Sequence, residues 1–169
     1  MAGERLGKVF YNRDVLVVAP DLVGKILVHE TVQGTGRYII NDVEAYRGQE
    51  DLACHASKGI TPRTSIMYDE GGKLYVYLIY GMYWMLNVVT AGKDNPQAVL
   101  LRGAGEYKGP GRVTKALGID KSFYGEDLTI SGRIWIEESG VKPDIKTGPR
   151  IGIDYAGEYW KNLPWRFYL

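Results

Sequence analysis

Two polar residues at the ends of predicted strands are the best suited to acid–base chemistry. Glu44 ends one strand pattern in Glu44-Ala45-Tyr46, just before a loop that contains glycine. If its carboxylate is partly buried there, the loss of water raises its pKa towards the range of a general base. A solvated glutamate is the alternative. Arg102 ends the apolar strand 98–101, and on an enclosed face it would need a carboxylate partner such as Glu44.

Three other chemistries fit the sequence poorly. Cys54 and His55 are adjacent, so their side chains point apart, whereas a cysteine nucleophile and its base must reach each other across the fold. His55 could instead meet a phosphate or stack near a base. Gly103-Ala104-Gly105 begins like a dinucleotide-binding loop, but the third glycine, Gly109, comes one residue late. One cysteine and two histidines are fewer than the about four ligands of a structural zinc site. We therefore expect neither a metal nor a cofactor.

A tyrosine-rich segment, 72–83, has the pattern of a β-hairpin. Alternation places Tyr75 and Tyr77 on one face of its first strand and Tyr80 on the other, next to Gly81 at the turn. Large rings at an exposed turn favour wedging or stacking against a planar ligand such as a nucleic-acid base. The alternative is that the rings only fill the sheet, because aromatic residues are common in strands.

These residues need a sheet to position them, and the remaining patterns predict one. Besides the hairpin, strands are predicted at 25–30, 36–44, 97–102, 128–130, 133–137 and 149–153. Short helices are predicted after the start signal 12–14, at 19–24 and at 111–119, with a weaker pattern at 50–57. Strands joined by short turns, with few helices between them, indicate the α+β class and a mainly antiparallel sheet.

Length and composition indicate one ordinary globular domain, 1–169. Hydrophobic residues make up 45% and charged residues 24%, and apolar runs such as 15–19 are too short to cross a bilayer. Residues 1–6 lack the apolar run of a signal peptide, and the single cysteine, Cys54, suits a reducing compartment. We therefore expect an intracellular protein that is not secreted.

The formal net charge of +1 says little about partners. Nucleic-acid-binding domains are often strongly basic, so a polyanion would require basic residues gathered on one side of this molecule. An ordinary solvated surface is the alternative. The candidates in loop-like sequence are Lys58, Arg63, Lys108, Arg112, Lys115, Lys146, Arg150, Lys161 and Arg166.

A series of motifs runs through nearly the whole chain. They include Glu44-Ala45-Tyr46, Thr61-Pro62-Arg63, the hairpin 74–83 and the strand 99–102. Further motifs lie at 18–25, 53–56, 87–88, 109–111, 117–119, 149–152 and 164–167. In their order and spacing the chain resembles the alkyladenine (3-methyladenine) DNA glycosylase family, of the mammalian rather than the helix-hairpin-helix type. The resemblance implies a single α+β domain with a curved, mainly antiparallel sheet, short helices and a protruding hairpin that intercalates into DNA.

The resemblance implies that a damaged nucleotide is flipped out of the duplex, because its glycosidic carbon cannot be reached inside the stack. Tyr80 would be the wedge that fills the resulting gap, with Met82 and Tyr83 beside it in the minor groove. The flipped purine would lie in an aromatic pocket, with phosphate contacts nearby. The implied pocket residues are Tyr46, His55, Tyr77, Asn87 and Leu100, and the phosphate contacts are Lys58, Arg63, Lys108 and Arg112.

The resemblance also implies the chemistry. Glu44 would be the general base that deprotonates a water attacking C1′, and Arg102 with the backbone carbonyl of Ile151 would fix that water. The backbone amide of His55 would donate to the base edge. Since the pattern contains no amine nucleophile, the product would be an intact abasic site.

The expected substrate is double-stranded DNA that contains 3-methyladenine, hypoxanthine or etheno-adenine. We further expect no cofactor and a monomer, located in the cytoplasm and associated with the nucleoid if the source is prokaryotic.

Some features depart from the family pattern. Asp42-Val43-Glu44 stands where the family usually has a threonine before the glutamate, and the loop 57–66 is slightly shorter than in mammalian relatives. A two-residue turn at Gly81-Met82 would place Tyr77 and Asn87 on opposite faces of the hairpin. If both contact one base, we expect a longer turn or a bulge.

Two rival functions use the same residues. One is a non-catalytic nucleic-acid-binding module whose tyrosines stack on single-stranded bases. The other is a glycosidase with Glu44 and Asp42 as its acid pair, although two carboxylates on one strand face are poorly placed for opposite sides of a sugar.

Overall fold

Strands make up most of the regular structure. The computed structural model describes residues 3–169, so Met1 and Ala2 of the predicted domain lie outside the described residues. Over this described part, the strands are β1 (Ile26–Thr31), β2 (Gly34–Arg47), β3 (Leu74–Ile79), β4 (Tyr83–Thr90), β5 (Gln97–Ala104), β6 (Tyr107–Lys108), β7 (Ile134–Glu137), β8 (Lys146–Gly148) and β9 (Arg166–Tyr168). The α-helices are α1 (Lys8–Tyr11), α2 (Val15–Leu22), α3 (Pro110–Leu117) and α4 (Gly157–Lys161). No helix within residues 3–169 combines the length and apolarity that a bilayer span requires.

The strands form an antiparallel sheet. They join in the order β3-β4-β5-β2-β1-β7, with β6 paired to β5, β9 to β2 and β8 to β9. Every pairing between these described strands is antiparallel. The predicted α+β class with a mainly antiparallel sheet is confirmed, whereas the role of the hairpin β3–β4 in DNA stays a prediction.

The central strands pack a core with one face and build a second, more polar face with the other. Val43, Leu86 and Val99 belong to the main core cluster, into which α2 and α3 also pack. Alternation turns their neighbours Glu44 and Leu100 to the opposite face. A smaller buried cluster on that second face contains Cys54, Ala56, Met67, Tyr75, Val89 and Ala98.

The separate helix predicted at 19–24 is wrong, because one helix, α2, covers Val15–Leu22. Asp14 caps the helix as the pattern 12–14 predicted, because its side chain accepts a hydrogen bond from the Leu16 N–H. The helix then continues through Pro20 to Leu22 rather than starting anew. Its buried positions follow the helical spacing of 15, 18, 19 and 22, and burial of this stripe outweighs the one hydrogen bond that Pro20 cannot donate.

Two predicted strands are wrong. Residues 128–130 form a turn, in which the Asp127 carboxylate accepts hydrogen bonds from the N–H and hydroxyl of Thr129. Residues 149–153 form a loop. Pro149 has no N–H to donate to a neighbouring strand, and the Arg150 side chain is buried in an ion pair with Asp51. The last strand is instead β9, in the aromatic tail, which pairs with β2.

The weaker helical pattern at 50–57 is also only partly realised. A short 3₁₀ turn, His55–Lys58, forms at its end. Before it, the Asp51 carboxylate accepts hydrogen bonds from the N–H groups of Arg47 and Ala53 and so holds a loop. The predicted helix at 111–119 is confirmed as α3, which ends at Gly118 in the left-handed conformation.

The hairpin has a three-residue loop, Tyr80-Gly81-Met82, because Ile79 pairs with Tyr83. Tyr80 and Gly81 both have positive φ, 53° and 65°. Tyr77 lies opposite Met85, and Asn87 lies opposite Tyr75, so Tyr77 and Asn87 share one face. The longer turn that this arrangement required is confirmed.

Candidate active site

Four side chains form a row across the second face of the sheet. Glu44 on β2 pairs with Leu100 on β5, Leu100 pairs with Asn87 on β4, and Asn87 pairs with Tyr75 on β3. Cross-strand partners point to the same face and lie about 5 Å apart. The strand order therefore aligns four residues that are distant in sequence, with the carboxylate at one end of the row.

Glu44 is fully buried, so the solvated alternative is wrong. Its Oε1 accepts a 2.8 Å hydrogen bond from the Tyr46 hydroxyl, and its Oε2 accepts a 2.7 Å bond from the Ile151 N–H. Burial raises the pKa of Glu44 above its ordinary value, while the Arg102 guanidinium and the two donors oppose the rise. A raised pKa suits a general base that works near neutral pH.

Arg102 approaches Glu44 from a β-bulge. Leu101 pairs with Val43 but Gly103 pairs with Asp42, so Arg102 is the extra residue on β5. Its Nε lies 3.8 Å from Glu44 Oε2, which is an ion-pair distance longer than a hydrogen bond. This buried Nε has no hydrogen-bond partner among residues 3–169. The predicted pairing of Arg102 with Glu44 is therefore an electrostatic one.

Ile151 reaches Glu44 through a different atom from the one that the resemblance implied. Its backbone N–H, rather than its carbonyl, contacts the carboxylate. A donor stabilises the ionised form of Glu44, which a carbonyl cannot do. The water-fixing role of the Ile151 carbonyl stays a prediction.

An aromatic cleft with a cavity volume of about 40 Å³ opens beside Tyr46. Of the five predicted pocket residues, Tyr46, His55, Tyr77 and Asn87 line it. Leu100 does not line it, and is buried in the row between Glu44 and Asn87. The cleft is lined by Tyr46, Ala53, Cys54, His55, Met67, Tyr75, Tyr77, Asn87, Ala98 and Tyr155.

His55 lies within a cluster of rings at this cleft. Its ring centroid is 4.5 Å from that of Tyr77, and its Nδ1 is 2.7 Å from the Tyr75 hydroxyl oxygen. Burial lowers the pKa of His55 to about 4, and Arg63 and Lys58 add to this effect. The imidazole is therefore neutral at neutral pH.

Tyr155 is a cleft residue that the sequence did not single out. Its hydroxyl donates a 3.0 Å hydrogen bond to the Ala53 carbonyl, although its side chain is largely exposed. It follows the loop of Ile151 in the chain, far from the hairpin, and no local pattern marks it. Only the packing of the C-terminal segment against the loop of Ala53 brings it to the cleft.

The second carboxylate of the glycosidase alternative is engaged elsewhere. Asp42 accepts two hydrogen bonds from Arg166, at 3.0 and 2.9 Å, in a bidentate ion pair between β2 and β9. Both oxygens of this carboxylate are therefore engaged by one guanidinium, away from Glu44. The geometry therefore disfavours an acid pair of Glu44 and Asp42.

The other candidate groups are placed as follows. The hairpin loop is exposed, with 86% of Tyr80 accessible, and Met82 and Tyr83 are also exposed. Arg63 lies 5.5 Å from the centre of the Tyr77 ring, next to the cleft. Lys58 and Arg63 line an adjoining cleft with His55, whereas Lys108 lines another with Arg102. Arg112 directly follows Gly111, whose backbone lies close to the Tyr83 ring: a Cβ added at Gly111 would be 3.0 Å from that ring.

The remaining reactive side chains do not form a second centre. Burial raises the pKa of the Cys54 thiol to about 11, which makes it a poor nucleophile. Within residues 3–169, no group of three or more His, Cys, Asp or Glu is arranged to hold a metal ion.

Comparison with known proteins yields one family. The model for methylpurine-DNA glycosylase matches residues 9–108 and 106–169. A relative from Desulfitobacterium hafniense (strain Y51) is 44% identical over 194 residues, covering 98% of this chain and 95% of that protein. Relatives from Wolbachia pipientis wMel (45% over 174 residues; 99% and 92%) and Legionella pneumophila (strain Corby; 44% over 176 residues; 98% and 94%) are similar. All three are provisionally named 3-methyladenine DNA glycosylases.

The chain therefore belongs to the methylpurine-DNA glycosylase family. This confirms the family that the motifs predicted. The three relatives are bacterial, so the mammalian type stays a prediction.

Proposed function

We propose that the chain is a monofunctional DNA glycosylase, acting as the mammalian members of the family do, which hydrolyses the N-glycosidic bond of a damaged purine. The family and the names of the relatives support the class of reaction. One observation carries the mechanism: Glu44 is fully buried, and the tyrosine that holds its carboxylate also lines the aromatic cleft.

The substrate is double-stranded DNA, and the damaged nucleotide must leave the stack to reach Glu44. The exposed hairpin supports a wedge that fills the gap, since Tyr80 projects from its tip with Met82 and Tyr83 beside it. Lys58, Arg63, Lys108 and Arg112 are the proposed phosphate contacts. The enzyme acts as a monomer, without a cofactor, in the cytoplasm.

Glu44 acts as the general base. It takes a proton from a water molecule as the water oxygen bonds to C1′, and the bond between C1′ and the purine nitrogen breaks. The products are a free base and an intact abasic site. Arg102 and the Ile151 carbonyl are proposed to orient the water, which supplies rate through positioning. A cationic base such as 3-methyladenine leaves readily, whereas neutral hypoxanthine or etheno-adenine needs a proton as it leaves.

The cleft supports selection of purines by stacking and shape. The flipped ring would lie between aromatic surfaces that include Tyr46 and Tyr77. Because His55 is neutral, it does not repel a cationic lesion, and its backbone amide would donate to the base edge. Asn87 donates a 3.1 Å hydrogen bond to the Tyr75 carbonyl, which holds its amide where it would obstruct the amino group of guanine.

The test is excision from a duplex oligonucleotide that carries one hypoxanthine. We expect free hypoxanthine and a site that alkali cleaves, with no strand cleavage and no borohydride-trapped complex before alkali. Glu44→Gln should reduce release by a factor of about 10² to 10⁴, which is typical for removal of a general base.

The matched control is Glu137→Gln, which neutralises another buried carboxylate, on β7. It should release the base as the unmodified protein does. Undiminished release by Glu44→Gln would overturn the catalytic assignment. Lesion binding with no release by the unmodified protein would favour the non-catalytic binding module.

A further inference from the structure

A fully buried ion pair lies behind the cleft. Neither the Asp51 side chain nor the Arg150 side chain has any exposed surface. Arg150 donates to both carboxylate oxygens of Asp51, with Nη1 2.6 Å from Oδ2 and Nη2 3.0 Å from Oδ1. Burial of two charges costs much of what their attraction returns, so apolar residues of similar volume would often be as stabilising. Stability is therefore a weak reason for this pair.

The pair spans the end of β2 that carries Glu44 and Tyr46. Arg150 Nη1 donates a 3.0 Å hydrogen bond to the carbonyl of Ala45, the residue between them. Asp51 accepts bonds from the backbone N–H groups of Arg47, at 2.9 Å, and of Ala53 at the cleft, at 3.0 Å. One ion pair thus fixes the strand end to the loop that follows it.

Both hydrogen-bond donors of Glu44 adjoin Arg150. The Tyr46 ring, whose hydroxyl binds Oε1, lies 5.0 Å from the guanidinium carbon, and the Trp165 ring lies 5.0 Å from the same carbon. The other donor, the Ile151 N–H, belongs to the residue directly after Arg150. Movement of Arg150 would therefore displace both donors together.

We propose that the Asp51–Arg150 pair is a positioning device, which holds the Tyr46 hydroxyl and the Ile151 N–H on Glu44 and thereby sets the orientation of the catalytic carboxylate. This inference rests on the proposed function. Neither Asp51 nor Arg150 touches the substrate, and both act through the groups that they hold.

The test compares Arg150→Lys and Asp51→Asn with the control Glu137→Gln, which neutralises the buried carboxylate paired with Arg37. Single-turnover release of hypoxanthine should fall about 10- to 100-fold in the first two variants, the size of loss that follows mutation of residues that orient the ligands of a metal. Binding of the lesion duplex should change less than about twofold, and Glu137→Gln should match the unmodified protein.

The pH profile separates positioning from direct electrostatics. Loss of the donors raises the pKa of Glu44, so the acid limb should move to higher pH in both variants. Direct electrostatics predict no shift for Arg150→Lys, which keeps its charge, and a downward shift for Asp51→Asn. The other charged or titratable groups around Glu44 stay in place: Arg102, Asp42, Arg166, Tyr77 and Tyr155.

The titration of the Glu44 carboxyl carbon by NMR gives the same readout without catalysis. An upward shift in both variants supports the inference even if the unmodified protein releases no base, an outcome that would refute only the proposed function. The inference would be overturned if the Glu44 titration did not shift in either variant and activity fell only in proportion to the fraction of folded protein. If both variants fail to fold, Trp165→Leu replaces them, since it keeps the ion pair and removes one ring. It should shift the titration upward, and no shift would overturn the inference.

Discussion

The hydroxyl of Tyr46 lies 2.8 Å from Oε1 of Glu44, and the ring that carries it lines the aromatic cleft. One side chain therefore contacts both the cleft and the carboxylate behind it. Burial, with the charge of Glu44 and the hydrogen bond to it, raises the pKa of Tyr46 well above its ordinary value. The hydroxyl consequently remains a donor throughout the physiological pH range.

Tyr46→Phe removes this donor and keeps the ring. The pKa of Glu44 should rise, because a hydrogen bond to the ionised carboxylate is lost. We expect the acid limb of the rate profile to move to higher pH and release at acidic pH to fall by roughly tenfold, from the ~1.5 kcal/mol of a charge-assisted bond. Single-turnover rates between pH 5 and 9 measure both effects. Tyr77→Phe, which keeps a ring on the same cleft, is the comparison, and an equal shift in it would contradict the specific role of Tyr46.

Glu44→Gln should stabilise the protein while it slows catalysis. The pKa of Glu44 is raised in the folded state, chiefly by burial, so its ionisation opposes folding as pH rises through that pKa. A glutamine carries no charge, and its amide can still accept from the Ile151 N–H and donate to the Tyr46 oxygen. The free energy of unfolding should therefore increase at neutral pH. Denaturant unfolding at pH 7.5 and pH 4 measures it, and a gain as large at pH 4 would contradict this explanation.

His55 should make the stability depend on pH between about 6.5 and about 4. Its pKa in the fold is about 4 against an ordinary 6.5, so over this window the unfolded chain binds a proton that the folded chain does not. Stability is therefore lost as pH falls. His55→Gln should reduce the slope of unfolding free energy against pH. Burial also lowers the pKa of His29, so His29→Gln should separately reduce the slope of unfolding free energy against pH. An unchanged slope in His55→Gln would refute the prediction.

Tyr80→Gly should stabilise the fold and weaken binding of a lesion duplex. Tyr80 has a φ of 53°, a conformation that costs a residue with a side chain roughly 1–2 kcal/mol and costs glycine little. The free energy of unfolding should rise by up to about that amount, while binding of a lesion duplex weakens because the wedge is lost. The matched control is Tyr159→Gly, another exposed tyrosine but on α4. Unchanged duplex binding by Tyr80→Gly would contradict the wedge.

The sequence by itself determined the features that depend on neighbouring residues. Alternation and end signals predicted most central strands, the Asp14 cap and the glycine end of α3, because these signals act within a few positions. The ordered motifs likewise identified the family and marked Glu44, Tyr46, His55 and Tyr77. Local signals failed at 149–153, where a buried long-range ion pair between Arg150 and Asp51 forms in place of strand hydrogen bonds.

Only the tertiary structure decided how these residues meet. Strand order aligns Glu44 with Leu100, Asn87 and Tyr75, and a bulge directs Arg102 towards the carboxylate. The donor on Oε2 is 107 positions away in the chain, and the partners of the buried ion pair are 99 apart. Such contacts depend on which distant segments bury each other, and that is a property of the whole packed chain.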